Sequence, residues 1–164
     1  MGRFSLPDER PAGLDSPRTE KVIKHMAKAQ VRVFRLTGGR VGGTWRVGAG
    51  LRKPVPTLLL DHVGRKSGRR FTTPLLYLED GADLVIVASQ GGLPKNPQWY
   101  ANLLAHPETE VHLPRRGRRA VRAREATPEE RARLWPRLVD LYADFAKYAR
   151  WTEREIPVVV LEPR

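Results

Sequence analysis

The stretch "TLLLDHVGRKSGRRFTTPLLYL", residues 57–78, decides the fold. Its two apolar runs, 57–63 and 72–78, are rich in residues that favour β-strands and are separated by only eight positions. Because short connections join antiparallel neighbours, we expect the two strands to pair as a hairpin. The connection between them carries four cations, so a strongly basic loop is predicted at one end of a sheet.

Further strands are predicted on the C-terminal side of this hairpin. "LVIVAS" at 84–89 is typical of a buried strand, and residues 110–113 and 119–125 alternate between apolar and polar side chains. "PRRGRR" joins the last two as a hairpin, and "IPVVVLEP" at 156–163 supplies the closing strand.

Three helices are predicted from their capping residues and apolar periodicity. Ser16 caps a helix over 17–36, whose apolar stripe contains Val22, Ile23, Met26, Ala27, Val33 and Phe34. Asn96 caps a short helix with Pro97 at its first position. Thr127 and Glu130 form a capping box for a third helix, which is predicted to bend at Pro136 and to carry Tyr142, Phe145 and Tyr148.

The predicted element order, αβββαββαβ, contains no repeated βαβ unit, which argues against a Rossmann sheet. We therefore predict an α+β, mainly β fold: an antiparallel barrel with helices packed outside. The chain of 164 residues fits one domain over 16–164, preceded by a flexible basic tail over 1–15. No apolar run reaches the length of a membrane span or resembles a signal core, so a cytoplasmic location is expected.

The chain is strongly basic, with a formal net charge of +12. Twelve cations and four acids lie within residues 1–60. This balance favours anionic partners such as nucleic acid, acidic lipid or a phosphorylated small molecule, although solubility alone is an alternative reading. The basic amphipathic helix 17–36 is compatible with peripheral contact with an anionic membrane. No continuous basic face with stacking aromatics is evident, so nucleic acid is not expected as a partner.

Several common chemistries are excluded by the motifs that are missing. The chain has no cysteine, and its four histidines form no ligand pair, so no metal site is expected. "GRKS" lacks the glycine framework of a P-loop, and "GGRVGG" follows a helix where a Rossmann motif follows a strand. No nucleophile motif surrounds Ser67 or Ser89.

The remaining chemistry is anion binding, and two segments are candidates for it. In the loop of 64–71, lysine and arginine supply donors that match phosphate or carboxylate oxygens, and Gly64 and Gly68 let backbone amides approach an anion. A solvated hairpin tip is the alternative for this loop. In the second segment, 87–103, a Gly-Gly pair follows a strand and Lys95 precedes a helix N-terminus, which favours negative charge.

These segments together resemble a known family. "LLLDHVGRKSGRRFTTPLLYL", "DLVIVASQGGLPKNPQWYANLLAHPETEV" and "REIPVVVLEP" resemble the deazaflavin (coenzyme F-420)-dependent nitroreductase family of actinobacteria, over about residues 20–164. The resemblance implies a split β-barrel related to the FMN-binding, pyridoxamine-phosphate-oxidase type. It also implies reduced coenzyme F-420, an 8-hydroxy-5-deazaflavin with a phosphodiester and an acidic polyglutamate tail, as the hydride donor.

The resemblance also assigns residues to the cofactor. It implies that the phosphate and acidic tail are gripped by Arg65, Lys66, Ser67, Gly68 and Arg70. The ring system would be lined by Thr73, Pro74 and Leu75, and its edge would contact Ala88, Ser89, Gln90, Gly91 and Gly92, in part through backbone amides. The pocket would be completed by Lys95, Asn96, Pro97 and Trp99.

Two departures from the family pattern concern this site. Many relatives carry lysine where this chain has Gln90, and the position of any catalytic tyrosine is open. Tyr148 and Tyr142 are candidate proton donors beside Ser89, with a helix-core role as the alternative for both tyrosines. The acceptor implied is a small electron-poor molecule such as a quinone, an activated enone or a nitroaromatic, and the protein would be a monomer or a homodimer.

Two other kinds of function remain open from the sequence. One is an FMN- or heme-binding split barrel, for which fewer cations would be needed. The other is a non-enzymatic module that binds an anionic membrane or nucleic acid, motivated by the basic N-terminal segment.

Overall fold

The computed structural model describes residues 6–164, and the first five residues of the predicted flexible tail 1–15 lie outside the described residues. The described helices are α1 (Pro17–Thr37), α2 (Gln98–Ala105), α3 (Pro128–Leu141) and α4 (Asp144–Arg150). The described strands are β1 (Thr44–Trp45), β2 (Val55–Val63), β3 (Arg70–Leu76), β4 (Leu78–Asp80), β5 (Asp83–Val87), β6 (Glu108–Leu113), β7 (Gly117–Glu125) and β8 (Val158–Pro163). Short 3-10 turns cover Gly48–Leu51 and Gln90–Gly92.

All strands pair antiparallel in one curled sheet. The order is β1-β2-β6-β7-β8-β5-β4, and β3 pairs with β2 outside this path. The β2–β3 hairpin runs in register from Thr57 opposite Leu76 to Val63 opposite Arg70, which confirms the hairpin predicted from 57–78. The predicted antiparallel barrel with outer helices is likewise confirmed.

The core has two main parts, one on each face of the paired strands β5 and β8. Leu84 and Ile86 face the inside of the curl, where α2 inserts Trp99 and Leu103. Val85 and Val87 face the other way, against α3, α4 and their connection. Burial on both faces explains why "LVIV" and "VVVL" are continuous apolar runs without alternation.

Only the C-terminal part of α1 packs on the barrel. Val31 and Phe34 are buried against Leu59 of β2, and Gly38 ends the helix in the left-handed conformation. The N-terminal half of the predicted apolar stripe does not pack on the barrel, because the side chains of Ile23 and Met26 are 54% and 65% exposed. Helical periodicity identifies a face, but it does not show how far along the helix a partner surface extends.

Two predictions about the helices are wrong. Pro97, not Asn96, is the N-cap residue of α2, because the Asn96 side-chain oxygen accepts from Arg154 and is not available to the helix. The predicted third helix does not continue through Phe145 and Tyr148: α3 ends at Leu141, Tyr142 is extended, and α4 begins at Asp144. Pro136 lies inside α3. The two short strands β1 and β4 were not predicted, since two or three residues carry too little pattern.

Among residues 6–164, no helix combines the length and the apolar character that crossing a membrane requires.

Candidate functional site

The loop that joins β2 to β3 is closed by its own backbone. The Gly64 N–H donates to the Arg69 carbonyl and the Gly68 N–H to the Gly64 carbonyl, both at 2.8 Å. Gly68 has a φ of 67°, which favours glycine. A Cβ at Gly64 would lie 2.5 Å from Ser67 Oγ, so the hydroxyl needs a glycine beneath it.

This geometry shows which backbone amides of the loop remain available. The Gly64 and Gly68 amides are themselves used within the loop. Within residues 6–164, the N–H groups of Lys66 and Ser67 have no intramolecular acceptor. These two amides, at the tip of the loop, are therefore the ones available to an external oxygen.

The cations of the loop are not neutralised by acids. Within the described chain, no ion pair involves Arg65, Lys66, Arg69, Arg70 or Lys95. By contrast, Arg133 and Arg137 both pair with Asp80 elsewhere on the surface and hold the pKa of that carboxyl well below its usual range. The loop therefore presents uncompensated positive charge, which attracts anions.

Arg65 brings the two predicted binding segments together. Its guanidinium donates to Gln98 Oε1 at 2.8 Å, in the first turn of α2, and to Asn102 Oδ1 at 3.3 Å. Its backbone N–H also donates to Asn102 Oδ1, at 3.1 Å. The cationic loop is thus fixed beside the N-terminal half of α2, directly after the segment that contains Lys95.

The segment between β5 and α2 turns through three residues in the left-handed conformation. Gln90, Gly91 and Gly92 have φ values of 44°, 61° and 73°. At Gly92 a Cβ would lie 2.8 Å from the Tyr148 carbonyl oxygen, because α4 packs directly on this turn. The N–H groups of Ala88 and Gly92 bond to the Pro157 and Ser89 carbonyls, whereas those of Ser89 and Gly91 have no acceptor within residues 6–164.

At Gln90 the family resemblance implies a lysine in many relatives, and here the glutamine side chain serves the turn itself. With its amide oriented to suit its neighbours, the nitrogen donates to the carbonyls of Lys95 at 3.0 Å and Asn96 at 3.3 Å. A lysine would place a charge here, whereas glutamine ties the two ends of the segment together.

Arg154, in the connection between α4 and β8, holds the same segment from below. It donates to the carbonyls of Ala88, Ser89 and Leu93 and to Asn96 Oδ1, over distances of 2.7–3.2 Å. Partial burial lowers the pKa of its guanidinium. Sequence reasoning missed this residue, because a single arginine before a strand carries no motif.

The other predicted cofactor residues differ in accessibility. Lys95 and Asn96 are exposed, and Thr73, Pro74 and Leu75 are half-buried along β3. Ala88, Pro97 and Trp99 are buried, with Ala88 and Trp99 packed in the core inside the curl. Trp99 is therefore placed to support the site by packing. The polar contacts between α2 and the cationic loop are made by Gln98 and Asn102, and sequence reasoning also missed Asn102.

The two candidate tyrosines lie behind the Gln90–Gly92 turn. Tyr142 is buried between α3 and α4, with its hydroxyl 3.3 Å from that of Tyr148. Burial raises the pKa of both hydroxyls, so both remain protonated at neutral pH. Tyr148 is the nearer of the two to the site, because its backbone contacts Gly92.

No group of His, Asp or Glu side chains suited to a metal is present among residues 6–164. The donors of the candidate site are amides, hydroxyls and cations, which fit an anionic organic group. The fold and these donors together define a split-barrel protein whose β2–β3 loop and β5–α2 segment form a candidate site for an anion.

Comparisons with known proteins identify the family. The model of the F420H(2)-dependent quinone reductase family matches residues 26–163, and the chain belongs to this family. It is 56% identical over 119 residues to Rv3178 of Mycobacterium tuberculosis, provisionally named an F420H(2)-dependent quinone reductase, covering 73% of this chain and 99% of that protein. It is 38% identical over 136 residues to the F420H(2)-dependent quinone reductase Rv1261c of the same organism, covering 80% and 86%.

Solved structures agree with the family assignment. An F420-H2 dependent reductase (FDR-A) has 38% identity and a TM-score of 0.57, over 65% of this chain and 94% of that one. A second structure, described as a domain-swapped dimer, has 37% identity and a TM-score of 0.61, over 65% and 80%. The resemblance seen in the sequence is confirmed: the chain is an oxidoreductase of a family whose hydride donor is reduced coenzyme F-420. The FMN, heme and non-enzymatic alternatives are not favoured.

Proposed function

We propose that this chain binds reduced coenzyme F-420 between the β2–β3 loop and the β5–α2 segment and reduces a quinone. The observation that carries the proposal is the loop of four cations, none paired with an acid in residues 6–164, fixed by Arg65 to Gln98 and Asn102 of α2. An anionic phosphodiester and polyglutamate tail supply the charge that this loop lacks.

Each part of the site then has a distinct binding role. Lys66 and Arg70, with the free amides of Lys66 and Ser67, hold the phosphate and tail. The free amides of Ser89 and Gly91 meet oxygen atoms at the edge of the ring system, which lies along Thr73, Pro74 and Leu75.

The overall reaction adds one hydride and one proton to the quinone and yields the hydroquinone. The deazaflavin supplies the hydride when it is bound. The protein contributes orientation and a proton source. We assign that source to Tyr148 or to water, with Tyr142 behind Tyr148 as a hydrogen-bonding partner.

Cofactor titration tests the binding site. In a fluorescence titration with coenzyme F-420, Lys66→Glu should weaken binding at least ten-fold, because it replaces an attraction with a repulsion. Arg52→Glu is the matched control: Arg52 is also an exposed cation outside any ion pair of residues 6–164, but it lies beside Lys53, which bonds Asp140 of α3. Equal affinity in the wild type and Lys66→Glu would show that the loop is only a solvated tip.

An acceptor screen tests the reaction. Reduced F-420 should be oxidised by a quinone faster than by an enone or a nitroaromatic at equal concentration, and NADPH and reduced FMN should not replace it. Oxidation that depends on FMN would contradict the proposal and favour a flavin-binding barrel.

We propose in addition that α1 makes peripheral contact with an anionic membrane. Val22, Ile23 and Met26 are each more than half exposed, and Lys21 and Lys24 lie beside them. Ile23→Glu with Met26→Glu should abolish co-sedimentation with vesicles of anionic lipid and leave F-420 affinity in solution unchanged. Co-sedimentation that persists in this variant would refute the contact.

We also propose a cytoplasmic location, a monomer or homodimer in solution, and a single domain over 16–164 after a flexible tail. Light scattering settles the oligomeric state. Limited proteolysis tests the tail, whose described part contacts α4 through Leu6 and Asp8.

A further inference from the structure

A buried histidine lies next to the candidate site and has no role in the proposed reaction. His62 is the penultimate residue of β2 and is 6% exposed. Its ring stacks on Phe71. The Nδ1 atom of His62 lies 3.0 Å from the side-chain amide of Asn102, and the Nε2 atom of His62 lies 3.0 Å from Thr73 Oγ1.

The direction of this hydrogen-bond chain follows from one backbone group. The Arg65 N–H can only donate, and it donates to Asn102 Oδ1, which also accepts from the Arg65 guanidinium. The other atom of the Asn102 amide is therefore the nitrogen, and it donates to His62 Nδ1.

His62 then has a defined tautomer. Because Nδ1 accepts, the single ring proton of the neutral imidazole is on Nε2, which donates to Thr73 Oγ1. Burial lowers the pKa of His62, which favours this neutral form at neutral pH.

The last member of this hydrogen-bond chain is the Thr73 hydroxyl, whose proton is available to another acceptor. Thr73 Oγ1 accepts from His62, so its own O–H points away from the ring, and within residues 6–164 it has no acceptor. Thr73 is half-buried, two residues beyond Phe71, on the strand that leads out of the cationic loop.

We propose that His62 and Asn102 are positioning residues of the cofactor site. Through the Arg65–Asn102–His62–Thr73 chain they set the cationic loop and orient the Thr73 hydroxyl as a donor to an oxygen atom of the bound deazaflavin. The inference rests on the proposed function, since it requires the cofactor to lie along β3.

The tautomer is tested first, on the protein without cofactor. In 15N NMR of histidine-labelled protein, assigned with a His62→Gln variant, the His62 signals should show a protonated Nε2 and an unprotonated Nδ1. The opposite tautomer would overturn the proposal, because Thr73 would then donate to His62 and have no proton to offer.

The hydroxyl is tested by titration with coenzyme F-420. Thr73→Val, which removes the hydroxyl at constant shape, should weaken binding about ten-fold, and Thr73→Ser should restore it. Thr72→Val is the matched control, because Thr72 is on the other face of β3 and its hydroxyl donates to Asp61. It should bind as the wild type does.

The action of His62 through Thr73 is tested by a double-mutant cycle. His62→Phe should weaken binding more in the wild type than in Thr73→Val, where only its effect on the cationic loop remains, with far-ultraviolet circular dichroism confirming the fold. Fully additive losses, or unchanged binding in Thr73→Val, would overturn this proposal. If the wild type still binds F-420 in that case, the proposed function stands. Failure of the wild type itself to bind would overturn both.

Discussion

At the scale of residues, the side chains of Arg154 and Gln90 hold the β5–α2 segment in shape. Arg154 supplies donors to four oxygen atoms of this segment, three of them backbone carbonyls, and Gln90 ties its two ends together. Compared with the lysine that the family resemblance implies at this position, Gln90 exchanges a charge for a structural bond. In the proposed function, the positive charge that attracts the cofactor is then supplied by Lys95 and the β2–β3 loop.

Removing Arg154 should loosen the segment and weaken the site. Arg154→Ala leaves several partly buried acceptors without a partner, which should lower the free energy of unfolding by about 1–3 kcal/mol. It should also reduce F-420 affinity, because the free amides of Ser89 and Gly91 lose their fixed positions. Urea unfolding and fluorescence titration measure the two effects.

Arg150→Ala is the control for this change, since Arg150 is exposed and its one ion pair among residues 6–164 is with Asp8, at 4.0 Å. It should alter neither quantity measurably. If Arg154→Ala bound the cofactor as tightly as Arg150→Ala does, the segment would be held by its own turn alone.

At the scale of elements, the sequence predicted most helices and strands that have a periodic pattern or a capping motif. It predicted few of the contacts between elements. The β2–β3 hairpin, the capping box of α3 and the strands β5 and β8 follow from local pattern and are confirmed. The break at Tyr142 was not predictable, because the apolar period continues across it into α4.

The same distinction applies to the candidate site. The cationic loop and the Gly91-Gly92 turn are visible as runs of residues, so the sequence could single them out. Arg65, Asn102 and Arg154 act across distant elements, and their partners are known only once the fold is known. Resemblance to a family transfers the visible motifs but not these supporting contacts.

The start of α3 gives a prediction for pH. Glu130 accepts from both terminal nitrogens of Arg124 and from the Thr127 N–H, which lowers its pKa to about 2 from 4.5. The ionised carboxylate therefore stabilises the fold fully above pH 4.5, and this contribution is lost as the pH falls towards 2. Glu130→Gln should lower the free energy of unfolding at pH 7 by about 1 kcal/mol.

The difference between wild type and Glu130→Gln should shrink as the pH is lowered below 4.5, measured by urea unfolding in a pH series. Glu129→Gln is the control, since Glu129 is an exposed neighbour in the same turn, and it should show no comparable difference. A difference that stayed constant down to pH 2.5 would contradict the assignment of the stabilisation to the ionised Glu130.

For the whole molecule, the net charge of +12 must be distinguished from the unpaired cations of the β2–β3 loop. Acids on much of the surface pair with arginines, as Asp61 does with Arg118 and Glu162 with Arg124. The β2–β3 loop is not neutralised in this way. The net charge of +12 should therefore steer anions towards the molecule, while the loop decides where they bind.

This division predicts how salt acts on cofactor binding. Affinity for F-420 should fall roughly ten-fold between 0.05 and 0.5 M salt, because exposed charges are screened over about 10 Å at 0.1 M and less at higher concentration. The fall should be steeper for longer polyglutamate tails. A deazaflavin nucleoside, without phosphate or glutamates, should bind weakly and almost independently of salt.

Variants separate the loop from the net charge. Lys66→Glu with Arg70→Glu should flatten the salt dependence for F-420, because the cations nearest the tail are gone. The doubly substituted control Arg46→Glu with Arg52→Glu changes the net charge equally at exposed sites outside the loop and should keep the slope. Equal slopes in the two variants would mean that the whole molecule attracts the tail and that the loop gives it no particular position.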